Sequence, residues 1–212
     1  PIVIPNPVRI RLVSVNRVTA KQKRLLLTKE DAKHTWIVGY VGSYKEQKRP
    51  LDFINIAASF CLDEAPKIRW IMIGKDEDYS RQEIEEIARQ KNVVSKLSVF
   101  PFQENIEEWY DAIDILIAPS EGEAFGRNII EAMNSKVIVI AAKSGGHKEL
   151  INDGANGFLV DVGNILEYKS VIKRLTEGKI PHDKIRQNAS TSLVQLYEVQ
   201  SVVNRLLAIY DS

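Results

Sequence analysis

Short apolar runs alternate with amphipathic stretches of about ten residues along most of the chain, from Trp36 onward. Apolar runs of this length, separated by helical patterns, are typical of parallel strands that helices cover on both faces. We therefore predict an α/β fold, a doubly wound, Rossmann-like parallel sheet of about six strands with helices on both faces. The predicted strands are Trp36–Gly42, Ile68–Gly74, Leu97–Phe100, Ile113–Ala118, Val137–Ala141 and Gly157–Val160.

The two ends of the chain differ from this central part. Residues 1–35 have a Pro-rich start followed by a basic stretch, and they are predicted to be an interdomain segment that leads into one domain of residues 36–212. Residues 181–212 follow a helical pattern and are predicted to close the domain. Their apolar stripe consists of Leu193, Leu196, Val199, Val203, Leu206 and Leu207.

Composition excludes several classes of partner and site. The 29 Lys and Arg residues balance the 28 Asp and Glu residues to a net charge of +1, whereas dedicated nucleic-acid-binding domains carry a large basic excess. The single cysteine, Cys61, excludes a disulfide framework and a multi-thiolate zinc site. Three scattered histidines offer little for a metal centre, and we expect His147 to be a surface residue. We predict neither a nucleic-acid partner nor a bound metal.

Ligands of doubly wound sheets bind beyond the carboxyl ends of the strands, where the strand order reverses. The segment that follows the predicted strand ending at Ala118 is the most informative about such a ligand site. It is a Gly-containing loop followed by a helix that starts near Gly126. A helix start offers unpaired N–H groups to an anion, and glycine lets the backbone approach it closely. Glu123 and Glu131 frame this start, and they suit hydrogen bonds from sugar hydroxyls on either side of a phosphate.

The string EAFGRNIIEAM, which contains both glutamates, resembles the E-x7-E signature of the retaining GT-B-fold glycosyltransferases of family 4, also called group 1. The strings VGYVGSYKEQKRPLDFINIAA, WIMIG and VIVIAAKSGGHKELINDGANGFLV resemble landmarks of that family in the same order. The resemblance covers the chain from about residue 36 to its end. It implies one half of a GT-B fold, the C-terminal domain that binds a nucleotide-sugar donor.

The resemblance also implies roles for individual residues. Glu131 would bind the ribose hydroxyls, and Glu123 would contact the donor sugar near the reacting carbon. Lys48 would neutralise the diphosphate leaving group, which makes Glu123 and Lys48 the predicted catalytic residues. The diphosphate would be held by the turn of Phe125, Gly126, Arg127 and Asn128.

This sequence departs from the family pattern at two places. The family usually has arginine directly after the glycine aligned with Gly42, whereas Ser43 stands here, and we expect Arg49 to supply the second cation. Gly42 and Ser43 remain predicted substrate contacts. The nucleotide base would lie near Phe102 or Gln103, although proline precedes them where the family commonly has glycine.

The acidic run Asp76-Glu77-Asp78 allows two interpretations. A D-x-D string holds a metal and a diphosphate in the other large glycosyltransferase fold. The alternative is that Asp78 or Ser80 caps the helix that follows. We favour helix capping.

We expect a domain that binds a nucleoside-diphosphate sugar, in an enzyme that transfers a hexosyl group to a hydroxyl acceptor with retention, without metal or other cofactor. The acceptor, a glycan or lipid-linked molecule, would bind an N-terminal domain outside this sequence. The alternative function is a non-catalytic nucleotide-sugar-binding or assembly module with the same fold.

No signal peptide is apparent, so we expect a cytoplasmic protein of polysaccharide biosynthesis. The basic residues of 17–33 suggest a peripheral membrane contact.

Overall fold

The structure is a computed structural model, and it describes residues 17–28, 35–61 and 66–197. Six parallel strands form one sheet in the order β3-β2-β1-β4-β5-β6. The strands are β1 Trp36–Val41, β2 Ile68–Gly74, β3 Leu97–Pro101, β4 Ile115–Ala118, β5 Ile138–Ala142 and β6 Phe158–Val160. Each predicted strand is present with its bounds within two residues. The predicted doubly wound α/β sheet is confirmed.

Helices connect the strands and cover the sheet. They are α1 Arg17–Thr28, α2 Pro50–Ala58, α3 Arg81–Gln90, α4 Glu107–Tyr110, α5 Arg127–Asn134, α6 His147–Leu150, α7 Ile165–Thr176 and α8 His182–Tyr197, with a 3₁₀ turn at Glu46–Lys48. The predicted helix from about residue 181 is therefore present, with Leu193 buried. The remaining predicted stripe, from Leu196 onward, lies outside the described side chains.

Successive residues of each strand enter opposite apolar layers, because side chains of a strand alternate between the two faces of its sheet. Val38 and Trp70 join one layer, which α2, α3 and α7 complete. Ile37 and Ile71 join the other layer, with α5 and the last turns of α8. Burial on both faces explains why the strands appear in the sequence as nearly continuous apolar runs.

The strand order reverses between β1 and β4. From β1 the chain moves outward to β2 and β3, then returns to place β4 on the other side of β1 before continuing to β5 and β6. The connections leaving β1 and β4 therefore diverge and open a crevice at the carboxyl edge of the sheet. The crevice lies where the sequence placed the ligand.

Helix α1 packs on the sheet domain rather than standing apart as a solvated basic segment. Lys23 Nζ donates to Glu108 Oε2 at 2.8 Å and lies 4.7 Å from the centre of the Trp109 ring. Arg24 donates to the Thr35 carbonyl at 2.7 Å and pairs with Asp114 at 3.0 Å. Lys23 and Arg24 therefore already bind acidic and carbonyl groups of the same chain. Other members of the basic segment, Lys29 and Lys33, lie outside the described residues, so membrane contact stays a prediction.

No helix within the described ranges is both long and apolar enough to cross a bilayer. The division at residue 35 and the cytoplasmic location stay predictions.

Ser80 begins α3 with a capping box. Its hydroxyl accepts from the Glu83 N–H at 3.2 Å, and the Glu83 carboxylate accepts from the Ser80 N–H at 2.8 Å. We predict that Ser80→Ala lowers the free energy of unfolding by about 1 kcal/mol, because the first turn of α3 loses its side-chain acceptor. Urea denaturation would measure this loss. A loss no larger than that of Ser95→Ala, at an exposed turn position, would contradict the assigned cap.

Candidate functional site

A cavity of about 680 Å³ opens at the carboxyl ends of β1, β2 and β4. Ten of the predicted site residues line it: Gly42, Ser43, Lys48, Phe102, Gln103, Glu123, Phe125, Arg127, Asn128 and Glu131. The fold thus brings together segments as far apart along the chain as Gly42 and Glu131. The volume of the cavity suits a small organic ligand.

The turn into α5 depends on Gly126. This residue has φ 67°, in the left-handed region, and a Cβ there would lie 2.9 Å from Leu150 Cδ1. The left-handed conformation therefore favours glycine here, and the missing side chain leaves Leu150 in place. The first N–H groups of α5 have no acceptor within the helix and carry the positive end of its dipole. Gly126 itself does not line the cavity, but its neighbours Phe125, Arg127 and Asn128 do, so this end of the helix is placed where it would suit an anion.

Lys48 and Glu123 form an ion pair inside the cavity. Lys48 Nζ donates to Glu123 Oε2, and both side chains are mostly shielded from solvent, with exposed fractions of 26% and 17%. Lys48 comes from the 3₁₀ turn after β1, and Glu123 from the loop after β4. The two predicted catalytic residues therefore meet.

Glu131 faces the cavity from the second turn of α5. Tyr110 Oη donates to its carboxylate at 3.3 Å, and Arg127 lies 3.6 Å away. Burial raises the pKa of Glu131, while Arg127 and Tyr110 lower it. Burial also raises the pKa of Tyr110 well above its ordinary value, which keeps its hydroxyl a donor. The carboxylate retains acceptor capacity toward the cavity.

Asn128 has a structural part in the same turn. Its side-chain amide donates to the Val41 carbonyl at 3.0 Å, and its oxygen accepts from the Ile129 N–H at 3.0 Å. These bonds tie the start of α5 to the end of β1. Asn128 lines the cavity as predicted for a substrate contact, its side chain fixes the turn there, and its role in binding stays a prediction.

Arg49 does not line the cavity, contrary to its predicted place as the second cation. Its guanidinium bonds Asp52 at 2.7 Å and Glu121 at 3.2 Å. The residue has φ 52°, so its backbone turns in the left-handed region and carries the side chain to the start of α2. Lys75, which the sequence analysis missed, lines the cavity instead. Lys75 directly follows β2, at the carboxyl edge of the sheet where ligands of this fold bind.

Phe102 and Gln103 stand at the β3 end of the cavity. Phe102 is 66% exposed, which leaves its ring available for contact. Gln103 has both ends of its side chain engaged, since it donates to the Pro101 carbonyl at 3.1 Å and accepts from Trp109 Nε1 at 3.2 Å. Of the two predicted base contacts, Phe102 has the freer side chain.

The expectation that His147 lies at the surface is wrong. Its side chain is fully buried beneath the turn into α5, because the loop of Gly145 and Gly146 packs directly against the backbone of Glu123 and Ala124. His147 Nδ1 lies 2.9 Å from the Ala142 carbonyl, and Nε2 lies 3.4 Å from Ser120 Oγ. The sequence feature that could have predicted this burial is the position of His147 just beyond the carboxyl end of the buried strand β5.

The acidic run 76–78 supports local structure. Asp78 accepts from the Glu46 N–H at 2.8 Å, and Glu77 pairs with Lys45 at 3.6 Å. Ser80 is the helix cap, which settles the choice left open between it and Asp78. Among the residues that the structure describes, no group of three or more His, Cys, Asp or Glu side chains is arranged to hold a metal ion.

Comparisons with known proteins show the family to which this chain is similar. A family model described as "Glycosyl transferases group 1" matches residues 24–192. The putative glycosyltransferase EpsD of Bacillus subtilis (strain 168) is 25% identical over 158 residues, which cover 74% of this chain and 40% of EpsD. The chain spans about half the length of the curated relatives it matches.

Two solved structures share the fold over most of the chain. Anabaena HepE in complex with UDP is 25% identical with a TM-score of 0.85, covering 98% of this chain and 56% of HepE. The C-terminal domain of the group 1 glycosyl transferase LpcC from Francisella tularensis is 29% identical with a TM-score of 0.68, covering 78% of this chain and 87% of that domain. With the family match over residues 24–192, these likenesses show that this chain belongs to the group 1 glycosyltransferases and corresponds to their C-terminal domain.

Proposed function

We propose that this chain is the donor-binding domain of an enzyme that transfers a hexosyl group from a nucleoside-diphosphate sugar to a hydroxyl acceptor. The observation that carries the proposal is the Lys48–Glu123 pair facing the start of α5, with Glu131 on the same cavity wall. Lys48 and the turn at Gly126 suit the diphosphate of a nucleotide sugar. The two carboxylates suit the hydroxyl groups of its two sugars. HepE, a neighbour in fold, has been crystallised with UDP.

The diphosphate would lie between Lys48 and the turn at Gly126. Lys48 would exchange its bond with Glu123 for a bond with a phosphate oxygen, and the amides of Gly126 and Arg127 would add further donors. Positive charge at this place stabilises the negative charge that develops on the departing nucleotide. We propose that these groups serve the leaving group without a metal ion.

The two carboxylates would bind the two sugars of the donor. Glu123, released by Lys48, would accept hydrogen bonds from the transferred hexose. Glu131 would accept from the ribose diol, beside Tyr110. Retention at the anomeric carbon is part of the proposal and rests on the resemblance of residues 123–131 to the family signature. The acceptor, a glycan or a lipid-linked molecule, would bind a separate domain of the complete protein.

Stereochemistry can be tested on the complete protein with the donor alone. Proton NMR would follow the anomeric signal of the sugar first released from an α-linked donor by slow hydrolysis. We expect the α-anomer to appear before mutarotation. First appearance of the β-anomer would contradict retention.

A second function has a specific observation in its favour. Ser43 replaces the usual arginine, and Arg49 is held by Asp52 and Glu121 rather than at the cavity. A domain without the family's usual arginine at this place suits a binding or assembly module that does not catalyse transfer. A complete protein that binds donor but neither transfers nor hydrolyses it would favour this module.

We predict that Glu131→Gln weakens the binding of a nucleoside diphosphate about tenfold, because a ribose diol loses a charged acceptor. The affinity of the unsubstituted chain should fall as the pH drops through the raised pKa of Glu131, since protonation removes that acceptor. The glutamine variant should lose the part of the pH dependence that comes from Glu131 and keep the part that comes from the ligand's terminal phosphate, which titrates at about pH 6. Isothermal titration with UDP, GDP and ADP between pH 5 and pH 8 would measure both effects.

The same variant separates binding from folding. A pKa raised in the folded state means that ionised Glu131 disfavours the fold, so Glu131→Gln should not lower the free energy of unfolding at pH 7. Glu85→Gln, on α3 and not among the residues that line the cavity, is the matched control and should bind like the unsubstituted chain. Equal affinities of the Glu131 and Glu85 variants would contradict the ribose contact.

A further inference from the structure

His147 is a fully buried ionisable side chain behind the cavity, and the proposed function does not use it. It lies below the Gly126 turn, where a Cβ on that glycine would come within 3.4 Å of His147 Cδ2. The ring is held at Nδ1 by the Ala142 carbonyl and approaches Ser120 with Nε2. Ser120 Oγ also lies 3.3 Å from Glu123 Oε2. Ser120 therefore bridges the histidine and the cavity carboxylate.

The proton arrangement along this bridge is constrained. A carbonyl only accepts, so Nδ1 must carry a proton toward Ala142. When the ring is neutral, Nε2 is an acceptor and competes with Glu123 for the one proton of the Ser120 hydroxyl. When the ring is charged, Nε2–H donates to Ser120 Oγ, and the hydroxyl proton must turn to Glu123. The charge of His147 thus decides whether the Ser120 proton is shared between two acceptors or belongs to Glu123 alone.

We propose that His147 is a positioning residue that orients the Ser120 hydroxyl. This orientation sets how strongly Glu123 accepts hydrogen bonds from the sugar of a bound nucleotide sugar, so the inference rests on the proposed function. With neutral His147, Nε2 and Glu123 share the single Ser120 proton, so the carboxylate keeps more of its acceptor capacity for the sugar. With charged His147, the Ser120 hydroxyl donates to the Glu123 carboxylate and uses one of its acceptor sites. The positive charge of the ring also lies on the far side of Ser120 from Glu123. Sugar binding is then weaker.

The surroundings keep His147 neutral near pH 7. Burial is the largest influence and lowers its pKa, with Lys48 acting in the same direction, whereas the Ala142 carbonyl and Glu123 raise it. The charged groups that act on the ring are thus Glu123, from the loop after β4, and Lys48, from the 3₁₀ turn. The contacts from β5 and from the start of α5 are a backbone carbonyl and a glycine, neither of which titrates.

Variants at His147 and Ser120 distinguish this role from simple filling of space. His147→Gln keeps an amide near the position of Nε2 without an ionisable group. His147→Leu keeps an apolar side chain of similar size and leaves Ser120 to donate to Glu123. Ser120→Ala removes the bridging proton altogether.

The measured quantity is the affinity for a nucleotide sugar divided by the affinity for its nucleoside diphosphate, which isolates the contribution of the sugar. The probes are UDP-glucose with UDP, GDP-mannose with GDP and ADP-glucose with ADP, titrated calorimetrically from pH 5.5 to pH 8. The terminal phosphate of the free nucleoside diphosphate titrates at about pH 6, so each ratio is compared with that of His147→Gln at the same pH, where the ligand contributes equally. Relative to that variant, the ratio of the unsubstituted chain should fall about fivefold as the pH drops below the ordinary histidine pKa. Titration of Glu131 affects both ligands and cancels in the ratio.

The variants should then differ in a fixed pattern. His147→Gln and Ser120→Ala should keep the high ratio and share one pH profile. His147→Leu should show the low ratio at every pH, about fivefold below the glutamine variant at pH 7.5. Equal ratios in the leucine and glutamine variants would overturn the proposal, and so would an unsubstituted chain whose pH profile matches that of His147→Gln.

Ring NMR tests the proton arrangement without any nucleotide. The ¹⁵N shifts of His147 at pH 7 should show a neutral ring with its proton on Nδ1, and Glu123→Gln should move the titration midpoint to lower pH. A proton on Nε2 at pH 7, or a midpoint that ignores Glu123, would overturn the inference. Failure of all three nucleotides to bind would instead count against the proposed function, with the ring spectrum still deciding the state of His147.

Discussion

Replacing Lys48 with alanine should weaken the binding of nucleoside diphosphates about 30-fold, because a charge-assisted hydrogen bond to phosphate contributes about 2 kcal/mol. Lys48 is mostly shielded from solvent beside Glu123, so water does not compensate for its loss. The variant also leaves Glu123 without its cation in the cavity, which adds repulsion toward the diphosphate. Isothermal titration calorimetry at constant ionic strength measures the change.

Two comparisons make this result specific. Lys45→Ala, three residues earlier, removes a more exposed lysine that pairs with Glu77, and it should change the affinity less than twofold. The nucleoside without phosphates should bind both variants like the unsubstituted chain. A Lys48 variant that loses no more affinity than the Lys45 variant would contradict the place assigned to the diphosphate.

Replacing Gly145 with alanine should lower the free energy of unfolding by at least about 3 kcal/mol. Gly145 has φ 50°, and a Cβ there would lie 2.3 Å from the Glu123 carbonyl oxygen, so backbone must move. The loop around it holds the Glu123 segment in place, with the Gly146 N–H donating to the Glu123 carbonyl at 2.7 Å. Displacing this segment should also weaken nucleotide-sugar binding. Thermal and urea denaturation measure the loss of stability.

Gly178→Ala is the matched control for Gly145→Ala. Gly178 also has positive φ, at 71°, but a Cβ there meets nothing within 4 Å. Its replacement should cost only the conformational penalty of about 1 kcal/mol. If the two variants lost equal stability, the close packing of the Gly145 loop against the Glu123 segment would be refuted.

The fold was largely predictable because burial on both faces makes each parallel strand a short apolar run in the sequence. The runs that end at Val41 and Ala118 also located the site, since the carboxyl ends of parallel strands meet at one edge. Glu123 and Glu131 could be assigned to this edge without coordinates. Gly126 was equally visible, as glycine at a strand-to-helix turn.

Side-chain direction could not be predicted in the same way. Arg49 lies one residue from Lys48, yet its left-handed backbone carries the guanidinium to Asp52 and Glu121 instead of the cavity. His147 is buried because the Gly145 loop, distant in sequence from Glu123, packs on that segment. The direction of Arg49 depends on its backbone conformation and on Glu121, and the burial of His147 depends on the Glu123 segment. Neither distant contact is encoded in a local pattern.

The most direct test of the account is a titration of the ¹⁵N-labelled chain with UDP, GDP and ADP, followed by amide NMR. We predict that at least one nucleotide causes saturable shifts of the Gly126, Arg127 and Glu131 amides, together with the side-chain signals of Lys48. Amides on the opposite edge of the sheet, such as that of Trp36, should not move. Absence of shifts at Gly126 and Glu131 with all three nucleotides, or saturable shifts confined to another surface, would contradict the nucleotide site at the start of α5.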